Sequence, residues 1–158
     1  EGAHYTMPDR IVYFYDAYLE DFLRGMAEFR DLCEETIGDS GITICVENVG
    51  GFRDFQLAAL GILLESPAFG LTLDIGHNYC TGGVDEPWIM AHADRLHHMH
   101  MHDAKDGKKD HQALGVGQID IPKFLDLAGK HDCTVVLETK TVAGLRASVE
   151  WLRKNRLL

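Results

Sequence analysis

Four residues set far apart along the chain share one chemistry. Glu47, Asp74 and Glu138 are carboxylates, His100 is an imidazole, and each lies at or near the end of a short aliphatic or β-branched run. Three oxygen donors and one nitrogen donor, brought together, form a site for a divalent cation. Mn²⁺, Mg²⁺ or Co²⁺ suit that donor set best, and Zn²⁺ is compatible with it. One strand-ending acid is explained by a helix cap or by solvent. Four such residues on four successive runs are harder to explain that way, because crowded carboxylates repel one another and require a cation. The nine histidines add to the pattern, five of them falling between His92 and His102. His77 follows Asp74 at i+3 across Gly76, so a turn brings both side chains to one cavity. His102 and Asp103 sit just past His100, and His111 lies in a loop with Leu114-Gly115-Val116-Gly117. His98 reads equally as a hydrogen-bonded core histidine and as a ligand, His97 as facing covering helices, and His4, His92 and His131 as surface or packing residues. Lys105, Lys108 and Lys109 read as a solvated charge run.

The elements that must carry these residues alternate. Thr6-Met7-Pro8-Asp9 has helix-start chemistry, and apolar positions at Tyr15, Tyr18, Phe22, Met26, Phe29 and Cys33 predict an amphipathic helix from Ile11 to Gly38. The opening Glu1-Gly2-Ala3-His4 reads as a loop entered midway. Gly41 to Glu47 predicts a strand closed by Asn48 and Gly50-Gly51, and Asp54 opens a helix that Ser66-Pro67 ends. Further strands are predicted at Gly70 to Gly76, Leu96 to His102 and Cys133 to Thr139. Helices are predicted after Asp85-Glu86-Pro87, from Ile121-Pro122 to Lys130, and from Ala143 to Lys154, with a long polar loop from Asp103 to Gly117. Strands alternating with helices indicate parallel βα units.

Strand parity separates two architectures. Ile42, Ile44 and Val46 share one face, as do Leu71, Leu73 and Ile75; the opposite parity carries Thr43, Cys45 and Glu47, then Thr72 and Asp74. His98, His100 and His102 oppose His97, Met99 and Met101, while Thr134, Val136 and Glu138 oppose Val135 and Leu137. A doubly wound sheet needs apolar residues on both parities. A barrel with helices outside only, and functional groups at the strands' C-terminal ends, needs one aliphatic face and one polar face. The fold class is therefore α/β, a TIM (β/α)8 barrel. Such a barrel takes about 250 residues, so 158 residues with four parallel βα units supply about its C-terminal half. The expectation is a single domain over residues 1–158, N-terminally incomplete, with a homo-oligomer of mutually completing copies as the alternative, because open sheet edges invite association.

Composition bounds the rest. The chain is 46% hydrophobic and 25% charged, which is globular, and its net charge of −10 disfavours DNA and anionic membranes as partners. Every apolar run is interrupted well before the ~18 residues of a membrane helix, and no secretory signal is evident. Cys33, Cys45, Cys80 and Cys133 lack CxxC spacing and read as reduced, packed thiols. The expected location is the cytoplasm.

From about Ile42 to Lys140 the residues resemble the xylose isomerase-like TIM barrels, which include sugar and sugar-phosphate isomerases and epimerases and the endonuclease IV type of abasic-site nuclease. The resemblance rests on Val46-Glu47-Asn48, Leu73-Asp74-Ile75-Gly76-His77 and His100-Met101-His102-Asp103. It continues through His111-Gln112-Ala113-Leu114-Gly115-Val116-Gly117-Gln118-Ile119-Asp120 and Leu137-Glu138-Thr139. It implies that Glu47, Asp74, His100 and Glu138 bind a catalytic metal, and that His77 and His111 approach the substrate or a second metal. It further implies carbohydrate metabolism: isomerisation or epimerisation of a small sugar or sugar phosphate by proton transfer through an enediolate, with Glu47 and Glu138 as the catalytic acid–base pair. Two alternatives differ in class. One is an endonuclease IV-like phosphodiesterase on abasic DNA, although Lys109 stands where the nuclease pattern places an aspartate. The other is an incomplete barrel fragment that binds metal and turns nothing over.

Overall fold

The computed structural model describes residues 4–13 and 18–158. Glu1-Gly2-Ala3, the helix position assigned to Tyr15 and the side chain of His4 fall outside what is described. The chain forms two compact units, one of residues up to Thr43 with Arg53–Phe69 and one of Ile44–Phe52 with Gly70–Leu158.

In the first unit, β1 (His4–Thr6) and β2 (Ile11–Tyr13) pair as an antiparallel hairpin ahead of α1 (Leu19–Ile37). The Pro8-Asp9 pair read as a helix start closes this hairpin instead, with the Met7 N–H donating to the Arg10 carbonyl at 2.7 Å. Pro also suits a tight turn, and Ile11-Val12-Tyr13 favours extended backbone. α1 ends at Gly38, whose φ of 49° lets the chain leave the helix while its N–H caps the Glu34 carbonyl. α2 (Asp54–Leu63) follows. Phe22 meets Phe55 edge-on at 5.6 Å, Phe29 meets Phe69 at 5.9 Å, and Arg30 is ion-paired to Asp31 and Glu65.

The second unit carries the sheet. Its elements in order are β3 (Ile44–Glu47), β4 (Phe69–Asp74), α3 (Ile75–Cys80), α4 (Glu86–Ala91), β5 (Leu96–Met101), β6 (Asp103–Lys105) and β7 (Lys109–Gln112). α5 (Ile121–Lys130), β8 (Thr134–Leu137) and α6 (Val142–Lys154) complete it. The sheet order is β3-β4-β5-β8, with β4, β5 and β8 parallel. The register aligns the polar parity across the strands: Thr72, His98 and Thr134 form one row, and Asp74 faces His100 in the next. Leu71, Leu73, Met99 and Met101, of the aliphatic parity, are completely buried. The register steps between Leu71 and Thr72, which leaves His97 without a cross-strand partner on β4 and exposed, rather than packed under a helix.

Two features were not anticipated. Ile75 and Gly76, read as strand, open the short helix α3, because the Asp74 side chain caps it by accepting the His77 N–H. The polar loop after His102 contains an antiparallel ribbon, β6–β7. Asp106 (φ 57°) and Gly107 (φ 63°) form its turn, with Lys108 N–H donating to the Lys105 carbonyl at 3.2 Å. Asp-Gly with both φ positive is the type I′ signature, so the ribbon had a local signal. All four cysteines are free and part-buried. No helix among the described residues is long and apolar enough to cross a membrane.

Candidate metal centre

Asp74 is the most constrained residue of the centre. It ends β4 fully buried, and its Oδ1 accepts the His77 N–H at 2.7 Å. Its backbone is held by Asn48, whose Nδ2 donates to the Asp74 carbonyl at 3.1 Å and whose Oδ1 accepts the Asp74 N–H at 2.8 Å. The amide thus acts as one more rung of the sheet beyond the end of β3. Burial works against charge on the Asp74 carboxylate, but hydrogen bonds from His102 and from the His77 backbone outweigh it and hold the pKa below the usual value.

Three carboxylates converge on one imidazole nitrogen. His100 Nδ1 lies 3.5 Å from Glu47 Oε2, 3.7 Å from Asp74 Oδ2 and 3.2 Å from Glu138 Oε2. The remaining oxygens of both glutamates meet further histidines: Glu47 Oε1 is 3.2 Å from His77 Nδ1, and Glu138 Oε1 is 3.4 Å from His111 Nε2. All six residues singled out in the sequence therefore lie in one cluster. His77 Nδ1, His100 Nδ1 and Glu138 Oε2 are buried there without a hydrogen-bond partner. Ligand-type atoms of Glu47, Asp74 and His100 lie within 4.8 Å of one another, as do those of Asp74, His102 and Glu138 and those of His77, His102 and His111. Ligand atoms held about 2.1 Å from one ion stand about 3.0–3.4 Å apart. The donor set is chemically suited to a divalent ion, since it gathers three like charges that a cation would neutralise.

A second layer lies beside it. The His102 ring is completely buried, with Nε2 at 3.0 Å from the Asp74 carboxylate. It stacks on His111 at 4.2 Å and 11°, and His77 meets His111 edge-on at 5.3 Å. Gly76 is required by this ring: a Cβ there would stand 1.9 Å from His102 Cε1. Burial disfavours charge on His102, Asp74 favours it, and the net pull is upward from the ordinary imidazole value. The His111 N–H, aimed at His102 Nδ1 from 2.7 Å, opposes a second proton there. Asp110 sits 3.0 Å from His111 Nδ1 and 3.1 Å from Lys140 Nζ, and the His111 hydrogen bond, joined by Lys140 and opposed by burial, pulls its pKa down to about 2.

Of the other histidines, His98 meets His100 edge-on at 5.2 Å. His98 Nδ1 bonds Thr134 Oγ1 at 2.5 Å, and His92 stacks on Trp88 at 4.1 Å. Lys109 meets Asp106 at 3.4 Å on an exposed surface.

The matching family model, described as xylose isomerase-like TIM barrel, covers residues 5–155. The chain belongs to that family. Among relatives of this xylose isomerase-like chain, the uncharacterised protein MJ1614 of Methanocaldococcus jannaschii is 24% identical over 114 residues, covering 71% of this chain and 43% of that protein. The solved structure of IolI with a bound zinc atom superposes with a TM-score of 0.58 at 18% identity, over 88% of this chain and 55% of that one. The 3-keto-D-glucoside 4-epimerase YcjR of E. coli gives 0.61 at 15%, over 94% and 57%. A xylose isomerase domain protein from Alicyclobacillus acidocaldarius gives 0.56 at 21%, over 85% and 58%. The chain spans about half the length of the proteins it matches.

Sequence reasoning missed three supporting residues of this xylose isomerase-like centre. The sequence marks Asn48 as closing a strand and His102 as following His100 on the polar parity, and neither position shows its hydrogen-bond partners. The Asp103 carboxylate, also buried, accepts the N–H groups of Ala104, Gly115, Gly117 and Ile119 at 2.8–3.1 Å and so shapes the loop after His111. Gly117 was its signal, since a Cβ there would meet Asp103 Oδ1 at 2.2 Å.

Proposed function

We propose that this chain supplies the metal site and the acid–base pair of a divalent-metal-dependent sugar or sugar-phosphate isomerase or epimerase. The observation that carries the reading is the convergence of Glu47, Asp74 and Glu138 oxygens within 3.2–3.7 Å of His100 Nδ1. Mn²⁺, Mg²⁺ and Co²⁺ match a set of three oxygens and one nitrogen, and Zn²⁺ remains compatible. Such an ion, when bound, supplies Lewis-acid polarisation of the substrate carbonyl.

The chain's own residues do the proton work. Each glutamate directs one oxygen at His100 and the other at a second histidine, Glu47 at His77 and Glu138 at His111. One carboxylate oxygen can therefore stay in the ligand set while the other faces the reacting carbon. One glutamate takes the proton next to the carbonyl and its counterpart returns one, with the enediolate between the two steps. In this reading His77 and His111, both part-buried, donate hydrogen bonds to substrate hydroxyls. Glu138, with 40% of its side chain exposed, is the more accessible of the pair.

Glu138→Gln is expected to lower turnover on the reactive member of a ketose and ketose-phosphate panel by about 10²-fold or more, with the far-ultraviolet spectrum unchanged. Near-normal rates in the folded variant would reject the two-glutamate scheme. The close approach of His77 and His111 also supports a metal-cluster phosphodiesterase, and a nicking assay on abasic plasmid, run beside that panel, separates the two.

A further inference from the structure

His102 has both ring nitrogens engaged, although it lies among ligand-type side chains. Its Nδ1 is 2.7 Å from the His111 backbone nitrogen, and a backbone N–H can only donate. Nδ1 is therefore the acceptor, and the single ring proton sits on Nε2, from which it is donated to the Asp74 carboxylate at 3.0 Å. The longer contact from Nδ1 to the Asp103 carbonyl, at 3.4 Å, would require the opposite tautomer and would set two N–H groups against each other. No lone pair is left for an ion. The ring cannot swing away either: Gly76 lies beneath it, where even a Cβ would not fit, and the His111 ring stacks against it at 4.2 Å. One buried imidazole thus joins a strand-end carboxylate, the start of α3 and a residue of the β6–β7 ribbon.

We propose that His102 is a positioning residue that couples the ribbon carrying His111 to the Asp74 carboxylate, so that divalent-ion binding and ordering of His111 favour each other. This rests on the reading of Asp74 as a metal ligand. Asp74 carries a buried charge in two oxygens, and His102 fixes the rotation that turns Oδ2 toward His100, 3.7 Å away. Without that hydrogen bond the carboxylate can rotate out of the ligand set. The same ring accepts the His111 N–H, so a shift of either partner is felt by the other. Linkage makes the effect reciprocal: an ion that steadies Asp74 must also protect the His111 amide.

Two variants and one spectroscopic measurement test this. His102→Gln keeps one donor and one acceptor at similar reach; His102→Leu removes both. Binding of Mn²⁺ by calorimetry is expected to weaken about tenfold or more in His102→Leu and to stay close to wild type in His102→Gln. Hydrogen exchange of the segment containing the His111 amide should slow on Mn²⁺ addition in the wild type and in His102→Gln, and not in His102→Leu. In the metal-free wild type, ring ¹⁵N correlations at mildly alkaline pH should show His102 protonated at Nε2 and bare at Nδ1. The Nδ1-protonated tautomer, or wild-type Mn²⁺ affinity in a folded His102→Leu, would overturn the proposal. If the unmodified chain bound no divalent ion, the metal-site reading would fall instead. The tautomer is read on the metal-free chain, so it still decides whether His102 bonds the His111 N–H and the Asp74 carboxylate together.

Discussion

At the scale of single residues, the centre depends on one absent side chain as much as on those present. Gly76 is required inside the Asp74–His77 turn because His102 occupies the space a Cβ would take. Gly76→Ala is expected to lower stability by about 1–3 kcal/mol through overpacking, measured by urea unfolding. Gly61, exposed within α2 and with open space where a Cβ would stand, offers the matching control. Gly61→Ala should raise stability by about 0.5–1 kcal/mol, since it removes only backbone freedom in a helix. Equal effects at both positions would mean that His102 does not pack on Gly76. Asp74 is irreplaceable for a different reason: its two oxygens serve the His77 backbone, His102 and the convergence on His100 together.

At the scale of elements, the ribbon β6–β7 and the loop after it are organised from within by Asp103. A buried carboxylate is costly unless it is well bonded, and here four backbone N–H groups satisfy it. Asp103→Asn turns part of that acceptor into a donor that faces other donors. It should cost about 2–3 kcal/mol and speed amide exchange at Gly115, Gly117 and Ile119. Unchanged exchange at those three amides would count against Asp103 as the organiser. Because His111 is carried on the ribbon at a φ of 52°, the same substitution is expected to loosen the His77–His111 contact.

At the scale of the whole molecule, a net charge of −10 adds to the local repulsion where three carboxylates meet. A bound cation relieves that repulsion only in the folded state, so it must stabilise the fold. Mn²⁺ at a hundred times its Kd should add about 2.7 kcal/mol, which for a chain of this size is about 5–10 °C in Tm. EDTA should reverse the gain, and Asp74→Asn should abolish it. A melting temperature indifferent to Mn²⁺, Mg²⁺, Co²⁺ and Zn²⁺ would remove the basis of the proposed function. The sheet ends at β8, where Val135 and Val136 are 37% and 45% exposed on opposite faces.

What could be read from the chain alone was whatever repeats at short period. Alternation at every second residue separates an aliphatic face from one bearing Glu47, Asp74, His100 and Glu138, and the order of strand and helix patterns indicates the parallel architecture. The Asp106-Gly107 turn was equally local and went unread. The N-terminal hairpin was misjudged because Pro8 and Asp9 suit a helix start and a tight turn alike, and only pairing between β1 and β2 selects one. Tertiary structure alone decided the support of the centre: Asn48 reaching the backbone of Asp74, His102 choosing its tautomer from the His111 N–H, Asp103 collecting amides from a loop twelve to sixteen residues on. Side chains like these take their roles from partners distant in sequence, and a hydrogen bond made across folded elements leaves no periodic trace in either partner.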